Sequence, residues 1–227
     1  LLGGADGSTA RIDARGALTR GRKQFDAPVT QIVADAGSRR FAALAANHEA
    51  KLFDEREQVV TSLRDVVELS AFGRNGTIAA RLVSGQIITV ARGGATTTHA
   101  PAARVQSISL NTGGARLLVV TERGEVNAGW GAQWQAVDSG ARAAAFVSEQ
   151  RFISARADGV LHLRELGLPH YLVAVVPASA GWVIVVPEGR YDGTVDGTKD
   201  VKWNAEKGNL DLVQFFQTYC QPGLLAA

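Results

Sequence analysis

The amino-acid sequence predicts an all-β fold, on three observations. Short apolar runs alternate in period two, Gly-bearing turns interrupt them about every ten residues, and the pattern repeats along most of the 227-residue chain. The runs are too short, and the turns too frequent, for a helical reading.

Four stretches open the repeating unit. They are Val29–Ala34, Val66–Phe72, Val105–Leu110 and Ala141–Val147, whose starts are 37, 39 and 36 residues apart. Each is followed by a polar turn: Asp35–Ser38, Gly73–Gly76, Asn111–Gly114 and Ser148–Gln150. A second apolar run comes next, over Phe41–Ala46, Ile78–Val83, Leu117–Thr121 and Phe152–Ala155. Then comes a tight turn carrying Ser84-Gly85, Arg123-Gly124 or Asp158-Gly159, with Asn47-His48-Glu49 in the corresponding place of the first unit. Glycine there predicts a primed two-residue turn. A third run covers Lys51–Phe53, Ile87–Val90, Glu125–Ala128 and Val160–Leu163. A fourth closes three of the units, over Val59–Leu63, Ala95–Thr98 and Gln133–Val137.

Four short strands in about 37 residues form a meander of the length that a β-propeller blade requires. One such sheet cannot bury both faces, so neighbours must stack. The chain opens within a unit. Leu1–Asp13 matches a second strand, the Asp6-Gly7 turn and a third strand, with the innermost strand missing. Together with the absence of Met from the sequence, this leads to the expectation of part of a larger propeller. The alternative is that Tyr171–Val176 or Trp182–Val186 fills the gap and closes a small ring.

In period, strand order and Asp-Gly turns (Asp6-Gly7, Asp158-Gly159) the units over residues 1–166 resemble WD repeats. They depart from that pattern where no Gly-His pair opens a unit. The Trp-Asp place holds Phe53-Asp54, Val90-Ala91, Gly129-Trp130 and Arg164-Glu165. The resemblance implies a WD-like propeller over residues 1–176.

After residue 180 the pattern changes. Gly181–Val186 reads as a strand, Pro187-Glu188-Gly189 as a turn and Arg190–Gly193 as a return strand. A Gly- and Asp-rich loop leads to Trp203. Asn209–Cys220 predicts a helix, with Asn209 as N-cap and with Leu212, Phe215, Phe216 and Tyr219 at helical spacing, ended by Pro222-Gly223. Trp182, Pro187-Glu188-Gly189, Tyr191-Asp192-Gly193, Asp196-Gly197, Trp203, Gln214-Phe215-Phe216 and Pro222-Gly223-Leu224 carry a further resemblance. Residues 181–227 resemble a hairpin–loop–helix module of bacterial multidomain proteins. That module follows WD-type repeats and often adjoins a caspase-like peptidase domain, which implies such a neighbour in the parent protein.

Composition excludes several classes. A net charge of +2 gives no support for a polyanion-binding surface, and one Cys rules out a disulfide within the chain and any Cys-rich zinc site. No apolar run approaches the roughly 20 residues that span a bilayer. Cys220 lacks the sequence context of a catalytic thiolate and reads as a packed thiol. His48, His99, His162 and His170 are scattered, with none at metal-ligand spacing. Asp192, Asp196 and Asp200 are four apart, unlike the ligands of a calcium loop. Gly93-Gly94 and Gly113-Gly114 lack the Lys-Ser/Thr of a phosphate loop. Arg39-Arg40 and Arg20-Gly21-Arg22-Lys23 read as solvated rim turns.

These readings predict no catalytic, cofactor-binding or metal-binding residues, and no cofactor. The expected function is a non-catalytic scaffold or sensor that binds a protein or peptide partner, or an adjacent domain of the same polypeptide. It would regulate or target an effector such as a caspase-like protease. Neither nucleic acid nor membrane is an expected partner. The alternative is a propeller hydrolase or lyase with a site assembled at the central channel. The single Cys fits a reducing cytosol, so the expected location is cytoplasmic.

Overall fold

The computed structural model describes residues 1–12, 15, 17–35, 37–101, 103–205, 208–212 and 216–224. The protein is built of antiparallel sheets laid down in chain order. The first sheet holds β1 (Leu2–Gly3), β2 (Ser8–Ile12) and β3 (Leu18–Lys23). The second holds β4 (Val29–Ala34), β5 (Phe41–Ala45), β6 (Ala50–Phe53) and β7 (Val59–Leu63). The third holds β8 (Val66–Leu69), β9 (Ile78–Leu82), β10 (Ile87–Val90) and β11 (Thr96–His99). The fourth holds β12 (Val105–Leu110), β13 (Leu117–Thr121), β14 (Val126–Trp130) and β15 (Gln133–Asp138). The fifth runs through six strands: β16 (Ala141–Phe146), β17 (Arg151–Arg156), β18 (Leu161–Glu165), β19 (Tyr171–Ala178), β20 (Gly181–Val185) and β21 (Tyr191–Gly193). A short helix α1 (Gly197–Asp200), a hairpin of β22 (Lys202–Ala205) and β23 (Gly208–Asp211), and a single turn α2 (Phe216–Tyr219) follow.

The arrangement is propeller-like. In each of the second to fifth sheets the first strand lies innermost: β4 touches β8, β8 touches β12 and β12 touches β16. The second strand of one sheet also packs on the first strand of the next, as β5 does on β8, β9 on β12 and β13 on β16. β1 packs on β4 in the same way and therefore occupies a second-strand place, as the sequence pattern implies. All four innermost strands bulge after their first residue, leaving Thr30, Val67, Gln106 and Arg142 out of the ladder. A bulge at the same place in each sheet adds local twist where the strands crowd.

Side chains stitch successive innermost strands together. Gln31 Nε2 donates to Leu69 O (2.8 Å) while the Leu69 N–H donates to Gln31 Oε1 (2.9 Å). The Ile108 N–H donates to Glu68 Oε1 (3.4 Å), and the Phe146 N–H donates to Ser109 Oγ (3.0 Å). The turns after the first strands form a second chain of bonds. Arg40 Nη1 donates to Gly76 O (3.2 Å), Asn75 Nδ2 to Gly114 O (3.1 Å) and Asn111 Nδ2 to Glu149 O (3.3 Å). Gly114 is required there: its φ is +76°, and a Cβ would meet Asn75 Oδ1 at 2.0 Å.

The hydrophobic core is a series of interfaces between sheets. Ala42, Leu44, Ala50 and Leu52 meet Val66, Leu69, Ile78 and Ala80; Ala79 and Ile87 meet Val105, Ile108 and Leu117; Leu118, Val120 and Val126 meet Ala141 and Phe152. The period-two alternation seen in the sequence therefore feeds two interfaces at once, one on each face. Counted from the turn between second and third strands, Ala42, Ala79 and Leu118 occupy one position and Ala50, Ile87 and Val126 another; all six are at most 3% exposed. In the fifth sheet the same positions are Ile153 and Leu161, exposed by 36% and 38%. At the other end, Leu2 and Ile12 of the first sheet are 48% and 52% exposed, where Ala43, Ala80 and Val119, and Phe53 and Val90, are buried. The outer faces of the first and last sheets are thus apolar and uncovered.

Several expectations need correction. The second-to-third turns are not primed two-residue turns. In each, the fourth residue donates its N–H back to the first, and only that fourth residue (Gly7, His48, Gly85, Gly124 or Gly159) has positive φ. This is a type I turn followed by a left-handed bulge residue. His48 takes that place at φ +63°, anchored by a ring Nδ1 contact to Val66 O at 3.1 Å. Tyr171–Val176 and Trp182–Val186 do not fill the first sheet: β19 is the fourth strand of the fifth sheet, and β20 extends it. The sheet therefore runs on through residues 176–181, where the sequence pattern changes. The long helix from Asn209 is absent. Gly208–Asp211 pair with Lys202–Ala205, Trp203 opposite Leu210, so a neighbouring strand claims residues that local spacing assigned to a helix. Among the described residues α-helix there covers Phe216–Tyr219; Gln214 and Phe215 lie outside the described residues.

Candidate functional site

The gap between the fourth and fifth sheets opens into a trough. Its main cavity, of 710 Å³, lies over the ends of β14 and β15 and is closed on the far side by Gln150, Leu166 and Gly167. A 400 Å³ hollow that shares Gln150 continues it towards the turns at Arg74 and Thr112. A 280 Å³ hollow that shares Gln135 and Gly167 continues it outwards to Pro169.

Two indoles line the main cavity, one at each side of the β14–β15 turn. Trp134 faces Gly129 across the ladder, and its ring lies where a Gly129 side chain would be: a Cβ there would meet ring carbons at 2.8 Å and Gln133 O at 2.1 Å. Trp134 Nε1 is shielded from solvent and has no hydrogen-bond partner among the described residues. Trp130 is held by His99, whose ring meets it edge-on at 4.7 Å. His99 ends β11 of the preceding sheet and is fully buried. Its Nδ1 accepts from the Gly131 N–H (2.9 Å), which leaves the proton on Nε2 to be donated to Thr89 Oγ1 (2.9 Å). Burial pushes the His99 pKa below the ordinary value, so the ring stays neutral and keeps Nδ1 as acceptor. A histidine that reads in the sequence as merely scattered therefore pins two sheets and one wall of the trough.

Polar groups complete the lining. Gln133 and Gln135 are exposed on β15, and Arg116 Nη1 donates to Gln150 Oε1 (3.4 Å). On the outer side Arg164 bridges the sheets: Nη1 pairs with Asp138 Oδ1 (3.2 Å), and Nη2 donates to Pro169 O (3.2 Å). Asp138 Oδ2 also accepts from Ser154 Oγ at 2.5 Å. His162 lies across the ladder from Ser154 and stacks on Tyr171 at 4.8 Å. Burial lowers its pKa, against a raising influence from Asp138. Ser, His and Asp thus come together, but Ser154 is fully buried and gives its proton to the carboxylate, so no substrate reaches its oxygen. The cluster is a buried joint between sheets.

The other candidates disperse. Cys220 is half-buried beside Tyr191 and has its thiol pKa raised by burial and by Asp192, contrary to what a reactive thiolate needs. Asp192 accepts from the Gly223 N–H (2.8 Å), Asp196 pairs with Lys199 (2.7 Å), and Asp200 accepts from Ser179. Each of these carboxylates has a separate structural partner. Arg40 is buried, whereas Arg39 is exposed. Among the described residues, no three His, Cys, Asp or Glu side chains gather in metal-binding fashion, and no helix is long and apolar enough to cross a membrane.

Fold and trough together define an all-β protein of propeller-like arrangement with a groove between two neighbouring sheets. Comparison with protein-family models and with curated proteins gives no match.

Proposed function

We propose that the chain is an arc of a larger WD-like β-propeller, acting as a non-catalytic scaffold or sensor that holds an extended protein or peptide segment in the trough. The observation that carries this reading is the trough itself. It is a run of adjoining hollows, with two indoles at its centre and glutamine amides along its edge, on sheets locked by side-chain bonds. Aromatic faces give contact area at low entropic cost, and amides match the donors and acceptors of an extended backbone. The shielded Trp134 N–H adds a donor that an incoming carbonyl reaches once the indole turns.

The larger ring is supported by the uncovered apolar faces of the first and fifth sheets, at positions that are buried in the sheets between them except at the half-buried Gly129. Apolar faces of that kind call for a cover. In the parent protein the arc would regulate or target a neighbouring effector domain, for which a caspase-like protease is the candidate given by the resemblance of residues 181–227. A cytoplasmic location belongs to the same proposal and rests on the single cysteine.

Selection from a displayed peptide library tests the reading. Enriched peptides should lose affinity on Gln133→Ala plus Gln135→Ala, two exposed changes that leave the fold intact. Failure to enrich any peptide, or turnover of hydrolase substrates abolished by one side-chain change, contradicts it.

A further inference from the structure

A second cleft lies between the first and second sheets, at the opposite end of the arc from the trough. It encloses 460 Å³ between the end of β3 and the turn joining β6 to β7. Arg22, Lys23 and Arg56 line it together with Gln24 and Gln58. The carboxylate in its lining, Glu57, is already engaged by Arg11 at 2.7 Å. Arg22 and Arg56 are exposed and have no carboxylate partner among the described residues. Lys23 has only a 3.5 Å pair with Asp26, whose side chain is 99% exposed.

The turn that presents Arg56 is fixed. Asp54 Oδ1 accepts from the N–H groups of both Arg56 and Gln58, each at 2.8 Å. Glu57 is held at φ +63°, a conformation unfavourable for a residue with a side chain, and its Arg11 pair ties it to the neighbouring sheet. The sequence carries Arg22 and Lys23 as part of a basic rim run; the fold adds Arg56 from 33 residues further on and consumes the local acid.

From this we infer that the cleft is a binding site for the carboxylates of an acidic peptide. Two free guanidinium groups and an ammonium match carboxylate oxygens, which guanidinium can take in two-pronged fashion, and the flanking glutamine amides match a peptide backbone. The lining has no aromatic ring, so it lacks the stacking platform with which proteins hold single-stranded nucleic acid. The site is independent of the trough and does not rest on the function proposed for it.

Fluorescence anisotropy with a labelled short peptide rich in Asp and Glu tests the site on the full chain. Its Asn/Gln counterpart, inorganic phosphate and a single-stranded oligonucleotide serve as the other probes. The acidic peptide should bind and the amide counterpart should not. Arg22→Gln with Arg56→Gln should weaken binding by at least about tenfold, while Arg123→Gln, an exposed cation elsewhere, should change it by less than about twofold. All three positions are exposed, and circular dichroism verifies that the variants fold. Equal weakening by Arg123→Gln, unchanged binding in the double variant, or tighter binding of the oligonucleotide or of phosphate than of the peptide overturns the assignment.

Discussion

Replacing His99 with Leu should loosen both the stack of sheets and the wall of the trough. The fully buried imidazole makes two hydrogen bonds, one to Thr89 and one from Gly131, and packs edge-on to Trp130. Leucine fills similar space but leaves the half-buried Gly131 N–H without its acceptor and removes the bond that the Thr89 hydroxyl accepts, although that hydroxyl still donates to Thr97 O (3.4 Å). Each such group costs roughly 1–3 kcal/mol, and leucine recovers part of that through its apolar surface, so a net loss of about 2–4 kcal/mol is expected. Urea unfolding followed by circular dichroism at neutral pH reads this as a lower midpoint at unchanged slope. The same residue predicts a pH dependence. The folded-state pKa lies below the ordinary 6.5 of the unfolded chain, so on acidification the unfolded chain takes up a proton that the folded protein refuses. Stability is therefore complete above that ordinary value and is lost as pH falls from it through the folded pKa. His162 shifts the same way, so His99→Leu should flatten the acid-side fall without abolishing it. A loss below about 0.5 kcal/mol, with an unaltered acid-side slope, would refute the role given to His99.

Further perturbations separate the parts of the account. Leu118→Ala, at the interface of the fourth and fifth sheets, should cost about 2–5 kcal/mol in the same unfolding assay. Gly129→Ala should displace the Trp134 indole and shift tryptophan emission, because its Cβ has no room beneath that ring. Ile153→Lys should leave the melting temperature nearly unchanged, whereas Ile87→Lys, on the corresponding face of the third sheet, should unfold the protein by burying a charge. Similar outcomes for the two lysine variants would contradict the uncovered face of the fifth sheet. The Cys220 thiol should react more slowly with a disulfide reagent at mildly alkaline pH than an unstructured cysteine, as measured by absorbance.

Much of the fold is legible in the sequence because the repeat writes each strand several times. Val29–Ala34, Val105–Leu110, Leu117–Thr121, Ile87–Val90 and Val59–Leu63 are strands over those same residues. What escaped lies where the repeat is silent. β3 is rich in basic residues and lacks an apolar alternation. The fourth strand of the fifth sheet is followed closely by β20 in the same sheet, and its apolar run reads equally well as a separate element. The C-terminal region failed for a different reason: the aromatic spacing suits a helix, but the strand Lys202–Ala205 captures Gly208–Asp211. The trough was invisible because its parts come from separate units, with Trp130 and Trp134 on the fourth sheet and Gln150 and Leu166 on the fifth. His99 offered a faint signal, since it closes an otherwise polar fourth strand, but its partner Gly131 lies 32 residues away. The basic cleft was half-visible as Arg22-Lys23, without the turn that completes it.

Amide hydrogen exchange, run with and without a peptide selected for binding, tests the trough most directly. The account predicts added protection in Trp130–Val137 and in the turn at Leu166–Pro169, with the first and second sheets unaffected. Protection centred on another surface, or none at saturating peptide, would contradict it.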